Sequence, residues 1–149
     1  MSTDYVPGLQ IVRNVLASMN KYDVPYKYRR DTVNPAISTF PAVNLFYDAD
    51  KGILAEDTRG LLVVTNRAAA ELFGYEITEM IGKPSEDLVP ERFREARKEL
   101  FKRILEEQIM KELDGIRVNK LGQEIPVQAW VFPYQLNDQL SIAAAIIKR

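Results

Sequence analysis

Histidine and cysteine, the side chains most often recruited for catalysis and metal binding, are both missing from this 149-residue chain. That absence excludes nucleophile–histidine pairs, histidine metal sites, histidine-ligated haem, a phosphoacceptor histidine, thiolate nucleophiles and disulfides. Carboxylates remain, but nearly all lie among basic residues on helix faces, the pattern of a solvated, charge-mixed surface. A non-enzymatic protein is expected. Asp48 and Asp50 have the spacing that begins a calcium loop. Such a loop then needs glycine at its sixth position and glutamate at its twelfth, where this chain has Ile53 and Arg59, so calcium is rejected. Two basic groups are left. Arg92, Arg94 and Arg97 could meet an anion at the mouth of a pocket, and Lys27, Arg29 and Arg30, interleaved with Tyr26 and Tyr28, could grip a phosphate or a base. The plainer reading of both groups is a wetted surface.

The elements that must position these residues are bounded by composition. A length of 149 residues with 46% hydrophobic content suits one domain with a real core, and a formal net charge of -1 gives no general pull towards nucleic acid or acidic membrane. No apolar run approaches the roughly 18 residues of a membrane helix. "MSTDYVPG" lacks the basic-then-apolar layout of a signal peptide, and a cytoplasmic location is expected.

Along the chain, Leu9, Val12, Leu16 and Met19 recur at alternating spacings of three and four after Pro7, an amphipathic helix stripe. It either packs on the domain's own surface or self-associates. "KYDVPYKYRRDTVNPAISTFP" mixes prolines, tyrosines and basic residues without a period and reads as an extended linker. Residues 1–41 are thus expected to be a cap helix and linker, and 42–149 the folded domain. Strand signals begin near Ala42, where either "NLFYDAD" or "GILAED" could supply the first strand, and "LLVVTN" supplies the second. "NRAAAELFGYEITEMIGK" reads as two very short helices, Asn66 capping the first and Gly74 closing it. "VPERFREARKELFKRILEEQ" is a long helix with Phe93, Ala96, Leu100 and Ile104 along one stripe. Three strands joined by tight polar turns complete the chain. Two strands, a run of helices and three strands predict an α+β domain, with helices on one face of a five-stranded antiparallel sheet.

At this point "LVVTNRAAAELFGYEITEMIGK", "LVPERFREARKEL" and "KELDGIRVNKLGQEIPVQAWV" resemble a PAS domain in order and spacing. The resemblance covers roughly Ala42 to Arg149, and the N-terminal helix is similar to the amphipathic cap that often precedes PAS cores. It implies a signal-sensing module whose pocket holds haem, flavin, a small metabolite or nothing. It also implies a homodimer and control of an output or effector protein, such as a kinase, a cyclase or a transcription regulator of the two-component type. The departures narrow this. Arg97 stands where haem-binding relatives carry the iron-ligating histidine, and arginine cannot ligate iron. Flavin cannot be attached through cysteine. A noncovalent flavin, a small organic ligand or an empty apolar interior stays open.

In "EIPVQAWVFPYQ" the side chains alternate, Ile125, Val127, Ala129 and Val131 on one face and Gln128, Trp130, Phe132 and Tyr134 on the other. The resemblance turns the aliphatic face towards the helices. Trp130, Phe132 and Tyr134 would then need a cover, and the Leu9, Val12, Leu16 and Met19 stripe supplies one from the same chain or a partner. A register slip would instead put Trp130 in the pocket. The expected pocket lining is Leu61, Val63, Phe73, Met80, Phe93, Ala96 and Leu100, with Ala129, Ala143 and Ala145 leaving room. Two readings follow: a sensor that binds a small ligand, or a ligand-free adaptor that uses the helix and the aromatic face as a permanent interface. Deleting the first helix should separate them. Nucleic-acid binding, resting on Lys27 to Arg30 alone, is not expected.

Overall fold

The computed structural model describes residues 5–27 and 41–149. Helices α1 (Tyr5–Lys21) and α2 (Pro41–Tyr47) precede strands β1 (Gly52–Glu56) and β2 (Leu62–Thr65). Short helices α3 (Arg67–Phe73) and α4 (Ile77–Met80), two 3₁₀ turns (Ser85–Leu88 and Glu91–Phe93) and the long helix α5 (Arg94–Glu107) follow. Strands β3 (Lys111–Val118), β4 (Glu124–Leu136) and β5 (Gln139–Lys148) end the chain. The sheet runs β2-β1-β5-β4-β3 and every pairing is antiparallel.

Of the two candidates for the first strand, "GILAED" forms it. "NLFYDAD" begins inside α2. Pro41 occupies the first helical position, where its missing N–H costs nothing and its φ is already helical. The turn that follows buries Phe46 against the back of the sheet. The start of the expected linker is also fixed in place. Val24 is buried, and Lys27 and Asp50 clasp each other, Lys27 N–H donating to Asp50 Oδ1 at 2.8 Å and Asp50 N–H to the Lys27 carbonyl at 2.6 Å. Tyr28, Arg29 and Arg30 lie outside the described residues.

The sheet separates two cores. On its back, Val12, Val15, Leu16 and Met19 of α1 pack with Trp130, Phe132 and Tyr134 of β4, and Leu9 is half-buried at the end of the stripe. The cover for the aromatic face therefore comes from the same chain. Asn14 Nδ2 pins the helix to the sheet by donating to the Gln135 carbonyl at 2.9 Å. Four buried apolar side chains on α1, at about 1.5–3 kcal/mol each, make this seam a major part of the fold's stability.

On the front, Phe73, Met80 and Ile104 from the helices meet Leu54, Val127, Ala129, Val131, Ile142 and Ile146 from the sheet. The alanine run of α3 explains how a helix gets this close. A Cβ on Gly52 would lie 2.9 Å from Ala69 Cα and 3.1 Å from Ala69 Cβ, so strand and helix touch backbone to backbone. Asn66 caps α3 by accepting from Ala69 N–H at 3.0 Å, and Gly74 closes it in the left-handed conformation at φ 78°.

Four positions expected to face inward, Leu61, Val63, Ala143 and Ala145, prove to face elsewhere. Simple alternation along β2 turns Leu61 and Val63 to the front. A bulge opposite Ala55 and Glu56 breaks that alternation, so Leu62 joins the front core while Val63 packs against the back one. Leu61 is taken up by a bridge to Pro84. On β5, Ala143 and Ala145 belong to the back core, because Ala143 pairs with Phe132 and Ala145 with Trp130. Their neighbours Ile142, Ala144 and Ile146 face the helices.

Candidate functional site: a cavity between α5 and β3

Ile104 is the one α5 residue that is fully buried, so the first half of the helix stands off the sheet. Its start is set by the preceding 3₁₀ turn and by Arg94, whose Nε donates to the Val89 carbonyl at 3.1 Å. Opposite lies β3, an edge strand with Gly115 in its interior. Glycine inside a strand marks a place where something approaches closely. Here it is the Arg117 guanidinium, since a Cβ on Gly115 would sit 2.9 Å from Arg117 Nη1. A cavity of about 320 Å³ opens between the two elements, with Phe93, Ala96 and Leu100 on the helix side and Leu113 and Val131 among the residues on the sheet side. That lies at the small end of the range for small-molecule sites, about 300–1,000 Å³, and suits a ligand smaller than a flavin nucleotide.

The structure thus gathers Phe93, Ala96 and Leu100 around one space. Phe93 is exposed at the rim. Phe73, Met80 and Ala129 are packed into the front core without lining the cavity, and Leu61, Val63 and Ala143 lie away from it.

Charge around the cavity is almost fully balanced. Arg92 forms a two-pronged pair with Glu124 at 2.6 and 2.8 Å, which raises the arginine's pKa and lowers the glutamate's. Arg97 donates to Glu56 Oε1 at 2.8 Å and to Ser85 Oγ, and its guanidinium stacks 4.2 Å from the Phe101 ring centre. Asp114 is held by Arg149 at 2.8 Å. The arginines expected to await an anion are thus largely occupied: two by carboxylates and Arg94 by a carbonyl.

Arg117 differs. Its one hydrogen bond goes to the neighbouring Ile116 carbonyl at 3.0 Å, and no carboxylate pairs with it among the described residues. Burial, and then repulsion from Arg97, pulls its pKa down to about 10, which leaves it charged at neutral pH. Sequence reasoning passed over Arg117 because it reads as one more strand residue. The Gly115-x-Arg117 spacing on one strand face was the available signal.

A protein-family model for the MEKHLA domain matches residues 27–146. A search of curated proteins finds no match. Among solved structures, the PAS domain of a protein from Colwellia psychrerythraea is 22% identical, covers 73% of this chain and 92% of its own, and superposes with a TM-score of 0.64. The PAS domain of a LuxR-family transcriptional regulator from Burkholderia thailandensis, solved in complex with ethanol, is 13% identical over 78% of this chain and 97% of its own, with a TM-score of 0.60. The LOV domain of a blue-light activated histidine kinase from Erythrobacter litoralis is 17% identical over 66% of this chain and 95% of its own, with a TM-score of 0.54. Such likenesses establish the PAS fold, and the family match covers the cavity, all the helices after α1 and the sheet up to Ile146 in β5. The chain belongs to the MEKHLA domain family, a PAS-like family.

Proposed function

We propose that this protein is a non-enzymatic sensory domain that takes a small organic ligand into the cavity between α5 and β3, and that occupancy regulates an attached or partner output protein. The observation that carries this reading is the stand-off of α5 from the sheet, which leaves a largely apolar space between the helix and β3. Support for a signalling role comes from the company the fold keeps, a transcriptional regulator and a histidine kinase among its structural relatives. The adaptor reading has less to stand on. Of the residues it needs for a permanent interface, Val12, Leu16, Met19, Trp130, Phe132 and Tyr134 are taken up by the chain's own α1–sheet seam, and Leu9 is half-buried at its end.

The test is native mass spectrometry of freshly purified protein, together with thermal-shift titration across a library of small metabolites. A bound species or a ligand-dependent rise in Tm is expected for the wild type, and its loss in Ala96→Phe, whose ring fills the space. A wild type that retains nothing and responds to no compound would remove the proposal.

A further inference from the structure

Arg117 brings a charge into the cavity wall that its surroundings do not neutralise. The other charged groups there are matched by name: Arg97 with Glu56, and Asp114 with Arg149. The guanidinium lies over Gly115, where the absence of a Cβ leaves it room. Arg117 is half-buried, and a charge partly withdrawn from water without a partner is costly, a cost that a ligand of opposite charge would offset. Its neighbours in the lining are apolar: Leu113 and Val131 from the sheet, Phe93 and Leu100 from the helix.

Resting on the cavity reading above, we propose that the ligand is a small organic monocarboxylate, its head paired with the Arg117 guanidinium and its compact apolar body lying between α5 and the sheet. One unmatched positive charge calls for one negative charge. The planar fork of a guanidinium matches a carboxylate in two parallel hydrogen bonds. Arg97, on the facing helix, shares the cavity and adds positive potential while it remains bound to Glu56 and Ser85. A dianionic phosphate would overcharge the site and leave the apolar lining uncovered.

The experiment uses the full chain and isothermal titration calorimetry with hexanoate and phenylacetate, their neutral amides hexanamide and phenylacetamide, and inorganic phosphate. At least one carboxylate is expected to bind about tenfold or more tightly than its amide, as a charge-assisted pair requires. Arg117→Met should abolish that preference, and Arg117→Lys should restore part of it. Amides that bind as well as the acids would overturn the proposal while leaving the cavity reading intact, and so would an unchanged preference in Arg117→Met. Phosphate binding as tightly as the carboxylates would also overturn it. Silence from acids and amides alike would remove both. Should Arg117→Met fail to fold, the acid-to-amide ratio in the wild type decides the matter alone.

Discussion

Asn66 shows how much one side chain can hold together. Its Oδ1 accepts from Ile53 N–H at 2.8 Å as well as from Ala69 N–H, and its Nδ2 donates to the carbonyls of Phe46 at 3.0 Å and Lys51 at 2.9 Å. Every hydrogen-bonding capacity of the amide is used in a site with no solvent exposure. Replacing it by alanine removes the helix cap and strands buried partners on α2, β1 and the turn between them. The expected loss is about 2–4 kcal/mol in urea unfolding. Asn66→Asp should be no gentler, because a carboxylate cannot donate to the two carbonyls. The helix cap was legible in the sequence, since asparagine before an alanine run is a local signal. The two donor bonds were not. They reach residues whose position depends on how the sheet closes.

Among elements, the β1–β2 connection is instructive. Asp57 organises it, its Oδ1 accepting from Arg59 N–H at 2.9 Å and Leu61 N–H at 3.1 Å and its Oδ2 from the Arg59 side chain at 2.8 Å. Burial works to raise this carboxyl's pKa, but the hydrogen bonds from Arg59 and Leu61 outweigh it and hold the pKa below the ordinary value. A folded-state pKa that is depressed means stabilisation that is complete above the unfolded value, near 3.9, and lost as pH falls through the folded one. Asp57→Asn is therefore expected to cost about 1 kcal/mol at pH 7, with the gap to wild type closing below roughly pH 4, as read by urea unfolding at both pH values. The strands themselves were readable from alternation, and β4 most clearly, with aliphatic and aromatic residues on opposite faces as expected. The bulge in β2 and the facing of β5 were not. A bulge is a property of two strands paired, and the apolar run around Ala143 to Ala145 carries no polar residue to mark its faces.

For the whole molecule, the sheet is a partition with a core on each side, and α1 closes the rear one. Val12, Val15, Leu16 and Met19 together are worth about 6–12 kcal/mol of burial, comparable to the entire stability of a domain this size. A chain beginning after Tyr22 is expected to lose cooperative unfolding and to bind a hydrophobic dye, checked by calorimetry and dye fluorescence. A truncated chain that unfolds as sharply as the full one would contradict this. The need for a lid could be read from the aromatic face of β4. Its origin within the same chain could not, because the helical stripe fits its own sheet and a partner's equally well.

The single tryptophan of the chain, Trp130, lies in the rear core with the Lys51 ammonium 5.4 Å from its ring centre, on the far side of the sheet from the cavity. Its emission is thus a gauge of whether the first helix is seated, and it has no direct view of what enters beside α5. A binding assay that followed this fluorophore would stay dark to the ligand unless the two sides of the partition communicate. Any signal it did give would itself be a measurement of that communication.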